Sequence, residues 1–411
     1  MVTEQVFVIA GAGLAGANAA QALREAGFAG RVVLVGDEVE RPYERPPLSK
    51  GYLLGDQDRA AVHVHDERWY EDNAVELRLG RAVTALDRAD RHVVLADGER
   101  VGYTRLLLAT GSSPRRLSVP GEELPGVHHL RRLDQADRLR EALTPGSRVV
   151  IAGAGWIGLE VAAAARARDC AVTVVEPAPT PLHAVLGPEL GGFFADLHRH
   201  RGVGFRFGGR VTGIRGDGAV SAVELADGAV LPADAVVVGV GARPNTALAE
   251  RAGLTVDDGV VVDAALRTDD PHVFAAGDVA AHPSTRYGRR LRVEHWANAL
   301  NGGQAAARSM LGQETAYDEL PYFFSDQYDV GMEFAGWFAP GGYDRVVTRG
   351  SVEERAFHAF WLASGHVVAG MHVNLWDDGI GDVQDLVRSR RPVDPDRLAD
   401  PSAPLADLVR A

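Results

Sequence analysis

One supersecondary pattern occurs twice in this chain, and it leaves few architectures open. The apolar run Val6-Phe7-Val8-Ile9-Ala10 leads into Gly11-Ala12-Gly13-Leu14-Ala15-Gly16, a helical stretch through Ala26 and a second apolar run ending at Gly36-Asp37. The same order returns as Val149-Val150-Ile151-Ala152, then Gly153-Ala154-Gly155-Trp156-Ile157-Gly158, a helix to about Asp169, and Val172-Thr173-Val174-Val175-Glu176. Strand, glycine turn, helix, strand and acid, in that sequence, predict a doubly wound parallel α/β sheet for each copy. With 411 residues the chain is too long for one core and is expected to form two or three domains.

The remainder is read around these two units. Residues 41–50 hold three prolines and exclude a helix or a central strand there. Leu106-Leu107-Leu108-Ala109-Thr110-Gly111 reads as a strand running into a turn, and residues 220–230 as a hairpin turning at Asp227-Gly228. A strand to Gly239, the run Val273-Phe274-Ala275-Ala276-Gly277-Asp278 and a helix over 297–311 follow. From about Pro321 the texture changes. Residues 356–363 and 366–373 alternate around Ser364-Gly365 like an antiparallel hairpin, which predicts a small α+β C-terminal domain.

The glycine loops carry the first chemistry. Glycines let the backbone approach a pyrophosphate at the positive end of a helix, and the acid at the end of the next strand accepts from ribose hydroxyls. The candidate nucleotide contacts are therefore Gly11, Gly13, Leu14, Ala15 and Gly16 with Asp37, and Gly153, Gly155, Ile157 and Gly158 with Glu176. Glu176 also selects the nicotinamide cofactor. Its carboxylate repels a 2′-phosphate, and Pro177-Ala178-Pro179-Thr180-Pro181 supplies no basic residue to receive one, so the pattern reads as NADH. A plain solvated charge at a strand end is the alternative for Glu176.

Composition removes several other classes. The formal net charge of −13 argues against nucleic acid or an anionic membrane as the main partner. The one cysteine, Cys170, excludes an intramolecular disulfide and any CxxC chemistry, and fits a reducing cytoplasm. No apolar stretch has the length of a membrane span, and Met1-Val2-Thr3-Glu4-Gln5 runs straight into a strand with no room for a secretory signal. Glu333 and the scattered histidines show no metal-ligand spacing, so no metal is expected. Lys50 is the one lysine among 43 basic residues, which reflects either a compositional bias towards arginine or a place where arginine does not serve.

With these residues in view, the chain resembles the flavin-dependent ferredoxin reductases of oxygenase systems, the group of putidaredoxin reductase and the aromatic-ring dioxygenase reductases. The resemblance rests on Gly11 to Gly16, Arg45-Pro46-Pro47-Leu48-Ser49-Lys50, Ala109-Thr110-Gly111, Gly153 to Glu160, Ala276-Gly277-Asp278 and Pro321-Tyr322-Phe323-Phe324-Ser325-Asp326-Gln327. The proline-rich segment is the most specific of these. The resemblance implies a glutathione-reductase-like fold: an FAD domain over 1–115 and 242–318, an inserted NAD domain over 116–241, and the C-terminal domain over 319–411. It implies FAD and NADH as cofactors, a ferredoxin as partner, and indirectly an oxygenase.

Residue by residue, the resemblance places Asp37 on the FAD adenosine ribose and Val83 against the adenine. Arg45, Ala109 and Arg131 would contact FAD, Asp278 would hold the ribityl chain, and Trp296 would lie beside the isoalloxazine. Lys50 would sit near flavin N5, paired with Glu160, and Gly241 near the nicotinamide. A compact cation near N5 suits the charge of reduced flavin, and a buried Lys–Glu pair would keep both groups charged. Simpler readings stay open: a surface lysine for Lys50, a helix N-cap for Asp278, and core packing for Tyr322, Phe323, Phe324 and Trp337. The C-terminal runs Val330 to Gly336 and Gly379-Ile380-Gly381 depart from the family pattern and leave the partner's identity open.

Two other functions remain in play. One is a cysteine-free NADH oxidase of the same fold; the other is an interaction flavoprotein resembling apoptosis-inducing factor, against which the acidic balance weighs. For an acidic ferredoxin, the densest positive candidate surface is Arg286, Arg289, Arg290 and Arg292 with His295 beside them, or simply a solvated arginine-rich loop.

Overall fold

A computed structural model describes residues 5–410, so Met1 to Glu4, which carry most of the expectation about a leader, lie outside the described residues. The chain forms two compact units. The first comprises the chain up to Arg45, Asp58–Ser113 and Ala242–Glu319; the second comprises Pro46–Gln57, Pro114–Gly241 and the chain from Leu320 onward.

The first unit is built on five parallel strands in the order Val273–Ala275, Arg105–Leu108, Val6–Ala10, Arg31–Val35, Val75–Arg78. Val8, Ile9, Val33, Leu34, Leu106 and Leu107 are all buried. Continuous apolar runs of this kind belong to strands covered on both faces. Helix Leu14–Glu25 follows the first glycine turn and packs against helix Trp296–Met310. The turn is tight enough to need glycine. Gly11 has φ +127°, and a Cβ there would meet the Ala109 carbonyl oxygen at 2.0 Å. A Cβ on Gly303 would meet the Ala15 carbonyl oxygen at 2.2 Å, so the two helices touch backbone to backbone. An antiparallel ribbon of Val83–Asp87, His92–Leu95 and Arg100–Gly102 completes the larger parts of this unit.

The second unit repeats the parallel plan, with strands ordered Gly204–Phe207, Ala171–Glu176, Arg148–Ala152, Ala235–Val238, Val127–His128. Helix Trp156–Ala167 opens at the second glycine turn. The expected hairpin is present as Val220–Leu225 against Val230–Pro232, with Gly228 at φ +86°. C-terminal residues form a five-stranded antiparallel sheet in the order Tyr322–Gln327, Val330–Gly336, His366–Val373, Ala356–Ala363, Arg345–Ser351. Ser364 and Gly365, both at positive φ, make the predicted turn between its two longest strands. Short helices Gly381–Ser389, Pro395–Ala399 and Leu405–Arg410 follow, giving the α+β texture.

One local expectation needs correction. Residues 41–50, expected to hold no helix, include a 3-10 turn over Pro46–Ser49, and a short helix Gly51–Leu54 follows just beyond them. Pro46 and Pro47 occupy the first two positions of that turn, where the missing N–H groups have no helical partner to lose.

The backbone contact between the paired helices makes a prediction. Gly303→Val should lower the thermal midpoint by at least about 2 °C, since overpacking of this kind costs ~1–3 kcal/mol. Scanning calorimetry checks it; an unchanged midpoint would mean the helices do not approach through Gly303.

Candidate functional site

Both glycine helices begin with backbone donors that no side chain caps. Gly13 and Gly155 stand at the N-cap positions, no side chain caps either helix, and neither has an acid in its first turn. A Cβ at Gly13 or Gly155 would meet nothing within 4 Å, so the space in front of each helix end is open. Within each turn the third glycine is sterically fixed: Cβ atoms on Gly16 and Gly158 would meet the carbonyl oxygens of Gly11 and Gly153 at 2.0 and 2.2 Å. Open space before uncapped N–H groups fits a pyrophosphate at both helices. Leu14 and Ala15 form the first turn of one helix; Ile157, 43% exposed, stands in the first turn of the other.

The acids behave differently in the two copies. Glu176 faces its glycine loop, accepting from the backbone N–H groups of Ala154 at 2.7 Å and Ala178 at 2.9 Å. Asp37 is exposed, while its neighbour Glu38 accepts from the Tyr43 hydroxyl at 2.5 Å and from Arg45 at 3.2 Å. Glu38 escapes the sequence pattern, which marks only the first acid after the strand. Arg45 also lies over the Tyr43 ring, at 5.3 Å.

Other candidates in the first unit fall into small polar groups. Asp278 is buried at the start of a 3-10 turn and accepts from the Ser112 hydroxyl at 2.8 Å. No side chain caps that turn. Asp278 is thus held at an inner turn instead of capping a surface helix. Trp296 is the first residue of its helix, and burial pushes the pKa of the Glu44 carboxyl up against the lowering influence of the Trp296 side chain. Val83 opens the antiparallel ribbon, half-buried against the core, and Ala109 is buried where it closes on Gly11.

In the second unit the fold brings Lys50 to Glu160 across 110 positions of sequence. Nζ lies 2.8 Å from Glu160 Oε1, and Glu160 is only 3% exposed. Two further donors converge on the same carboxylate: Ser325 Oγ at 2.7 Å on Oε1 and Ser49 Oγ at 2.5 Å on Oε2. Helix Trp156–Ala167 packs against both the Pro46–Ser49 turn and strand Tyr322–Gln327, which is why these donors meet there. Lys50 also lies 5.6 Å from the Phe324 ring centroid, a cation–π contact. The surface-lysine reading therefore fails: Lys50 is partnered and largely covered. The sequence assigns Ser49 and Ser325 no role, since nothing local announces a hydroxyl's distant partner. Gly241 sits at φ +100° with its carbonyl accepting from the Arg115 N–H, and the Arg131 N–H is held by Gln135.

Three further expectations are refined. Phe323 packs between Trp156 and Phe334, with centroids 4.9 and 4.8 Å away, as a core residue. The positive surface patch is weaker than its sequence suggests. Arg292 is paired with Glu294 and Asp258, Arg290 donates to the Val262 and Ala281 carbonyls, and burial pushes His295 down to about 4, leaving it uncharged at neutral pH. Cys170 is buried, and burial raises its thiol pKa, which disfavours the reactive thiolate. Among the described residues Asp87, Asp90 and His92 lie close enough to share an ion, a trio in the Val83–Leu95 hairpin that the spacing did not suggest.

The signature of pyridine nucleotide-disulphide oxidoreductases matches residues 5–303, and a reductase C-terminal signature matches residues 322–409. The chain belongs to the pyridine nucleotide-disulphide oxidoreductase family. Within that family it is 42% identical over 404 residues to the ferredoxin–NAD(+) reductase component of the anthranilate 1,2-dioxygenase system of Burkholderia cepacia, covering 98% of this chain and 99% of that one. It is 37% identical over 410 residues to putidaredoxin reductase of Pseudomonas putida, covering 98% and 96%. The crystal structure of a covalent putidaredoxin reductase–putidaredoxin complex superposes with a TM-score of 0.94 at 36% identity, over 100% of this chain and 99% of that one. Among the described residues, no helix is long and apolar enough to cross a membrane.

The Lys50–Glu160 pair makes a stability prediction for this family member. Lys50→Met leaves a buried carboxylate without its cation and should lower the thermal midpoint by roughly 5 °C or more. Adding Glu160→Met should recover part of the loss. Equal midpoints for wild type and Lys50→Met would show that the pair is not formed.

Proposed function

We propose that this chain is an FAD-dependent NADH:ferredoxin oxidoreductase, delivering single electrons to a ferredoxin that serves an oxygenase. The observation that carries the proposal is the buried Lys50–Glu160 pair on the second glycine helix, in a chain whose two glycine turns both fit a dinucleotide. The flavin, when bound, supplies the conversion of a two-electron donor into one-electron deliveries. The proposed partition is FAD over 1–115 and 242–318, NADH over 116–241, and a C-terminal domain over 319–411, with the protein working in the cytoplasm.

The chain's own residues divide the work as follows. Gly11, Gly13, Leu14, Ala15 and Gly16 present N–H groups to the FAD pyrophosphate, with Asp37 and Val83 at the adenosine. Glu38, through Arg45 and Tyr43, steadies that side. Asp278 is fixed by Ser112 to accept from a hydroxyl of the FAD chain, Trp296 flanks the ring, and Ala109 and Arg131 complete the contacts. Gly153, Gly155, Ile157 and Gly158 receive the NADH pyrophosphate, Glu176 the adenosine ribose, and Gly241 the nicotinamide end. Lys50 supplies the positive charge at the reacting edge of the flavin, and Glu160 holds its ammonium in place.

Supply of NADH and a panel of ferredoxins, with oxygen uptake followed in parallel, tests the reading. Ferredoxin reduction should dominate; oxygen uptake that exceeds it would favour the NADH oxidase reading. Because Glu176 stands where a 2′-phosphate would lie, kcat/KM should favour NADH over NADPH by at least about tenfold, equivalent to ~1.4 kcal/mol. Equal values would remove Glu176 from the ribose. Cys170→Ser should retain ferredoxin reduction, since its thiol is buried and its pKa raised; loss of turnover with flavin intact would revive thiol chemistry.

A further inference from the structure

The donors around Glu160 do not end at the hydroxyl of Ser325. Ser325 Oγ lies 3.1 Å from Gln327 Nε2, Gln327 Oε1 lies 2.8 Å from His198 Nε2, and His198 Nδ1 lies 3.2 Å from the Tyr328 hydroxyl. Ser325 and Gln327 are 1% exposed and His198 is 0% exposed. Ser325 and Gln327 are two apart on one strand and so share its buried face. His198 stands near the end of the helical segment His183–His200. At the outer end, Tyr328 lines a surface pocket of about 380 Å³ with Arg166, Ala167, Arg201 and Asp329.

Elementary hydrogen-bond chemistry gives this chain one direction. Ionised Glu160 only accepts, so Ser325 must donate its proton to Oε1. Its oxygen then accepts from the Gln327 amide N–H, which leaves the Gln327 carbonyl facing His198. His198 must therefore carry its proton on Nε2, leaving Nδ1 to accept from Tyr328. Burial pushes the His198 pKa down to about 4, which fits the neutral ring this arrangement needs. Every donation points toward Glu160, and aligned donors polarise one another in a buried setting.

We infer that Ser325, Gln327 and His198 are positioning residues for the Lys50–Glu160 pair: a one-way chain of donors that fixes the orientation of the carboxylate and, through it, the placement of the ammonium. The inference rests on the proposed function, in which that pair faces the flavin. Nothing in the chain touches a reacting atom; each residue acts through the next. The Gln327 amide is the step that transmits direction, since its two ends are chemically distinct. A hydrocarbon of similar size there would keep the packing and break the alignment.

The test uses the flavin-loaded full chain. With 15N-labelled histidine, His198 should appear neutral and protonated on Nε2 at pH 7; the Nδ1 tautomer, or a charged ring, would overturn the inference. His198→Phe removes the donor to Gln327, whereas His198→Gln supplies an amide N–H in its place. In stopped-flow mixing at saturating NADH, His198→Phe and Gln327→Leu should slow flavin reduction roughly three- to tenfold, the scale of one aligned buried hydrogen bond. The NADH dissociation constant should stay within about twofold, and His198→Gln should recover most of the rate. Equal slowing by His198→Phe and His198→Gln would mean that His198 only fills space. Should Gln327→Leu fail to fold, Ser325→Ala cuts the same chain at its inner link and must show the same pattern. Glu160→Gln separates the two levels: if it reduces flavin at the wild-type rate, the placement of the pair at the flavin fails. If it is slow while His198→Phe matches wild type, only the positioning chain fails.

Discussion

A carboxylate with almost no access to water, Glu160, is the constraint on which the second unit's arrangement depends. An isolated buried charge is strongly unfavourable, so the fold must deliver a cation and further donors to it. It does so from two pieces of chain distant from the helix that carries Glu160: the Pro46–Ser49 turn with Lys50, and strand Tyr322–Gln327. The proline turn is thus held by chemistry as well as packing. Its two prolines preset the backbone that aims Ser49 and Lys50 at one carboxylate, which explains why so irregular a composition forms ordered structure.

The two glycine units show how one plan is specialised. Both copies keep an uncapped helix end with open space before it. They differ in what lies beyond the next strand. Glu176 is held by two backbone N–H groups, that of Ala154 in its glycine loop and that of Ala178 just beyond the strand. In the first unit the exposed Asp37 sits beside Glu38, and the latter binds Tyr43 and Arg45. Only the second copy carries an acid inside its helix that is saturated by donors.

Most of the architecture was legible in the sequence because it is written in local patterns. Parallel strands, the two glycine turns, the Asp227-Gly228 hairpin and the Ser364-Gly365 hairpin follow from period, turn chemistry and steric need at single residues. Lys50 and Glu160 were legible as a pair through resemblance, and the structure joins them. The donors around them were not. A serine hydroxyl or glutamine amide carries no sign of a partner more than a hundred residues away, and His198 looks like any helical histidine until its ring meets Gln327. In the arginine-rich loop, the pairing of Arg292 with the distant Asp258 is tertiary information of the same kind.

On the proposed function, the largely covered Lys50 ammonium sets the electrostatics at the flavin. The midpoint potential of the bound flavin in Lys50→Met, compared with wild type by spectroelectrochemical titration at low salt, tests it most directly. Loss of a positive charge disfavours the anionic reduced flavin, so the potential should fall in the variant. A potential equal to or above that of wild type, with flavin content intact, would show that the Lys50 ammonium does not act on the flavin.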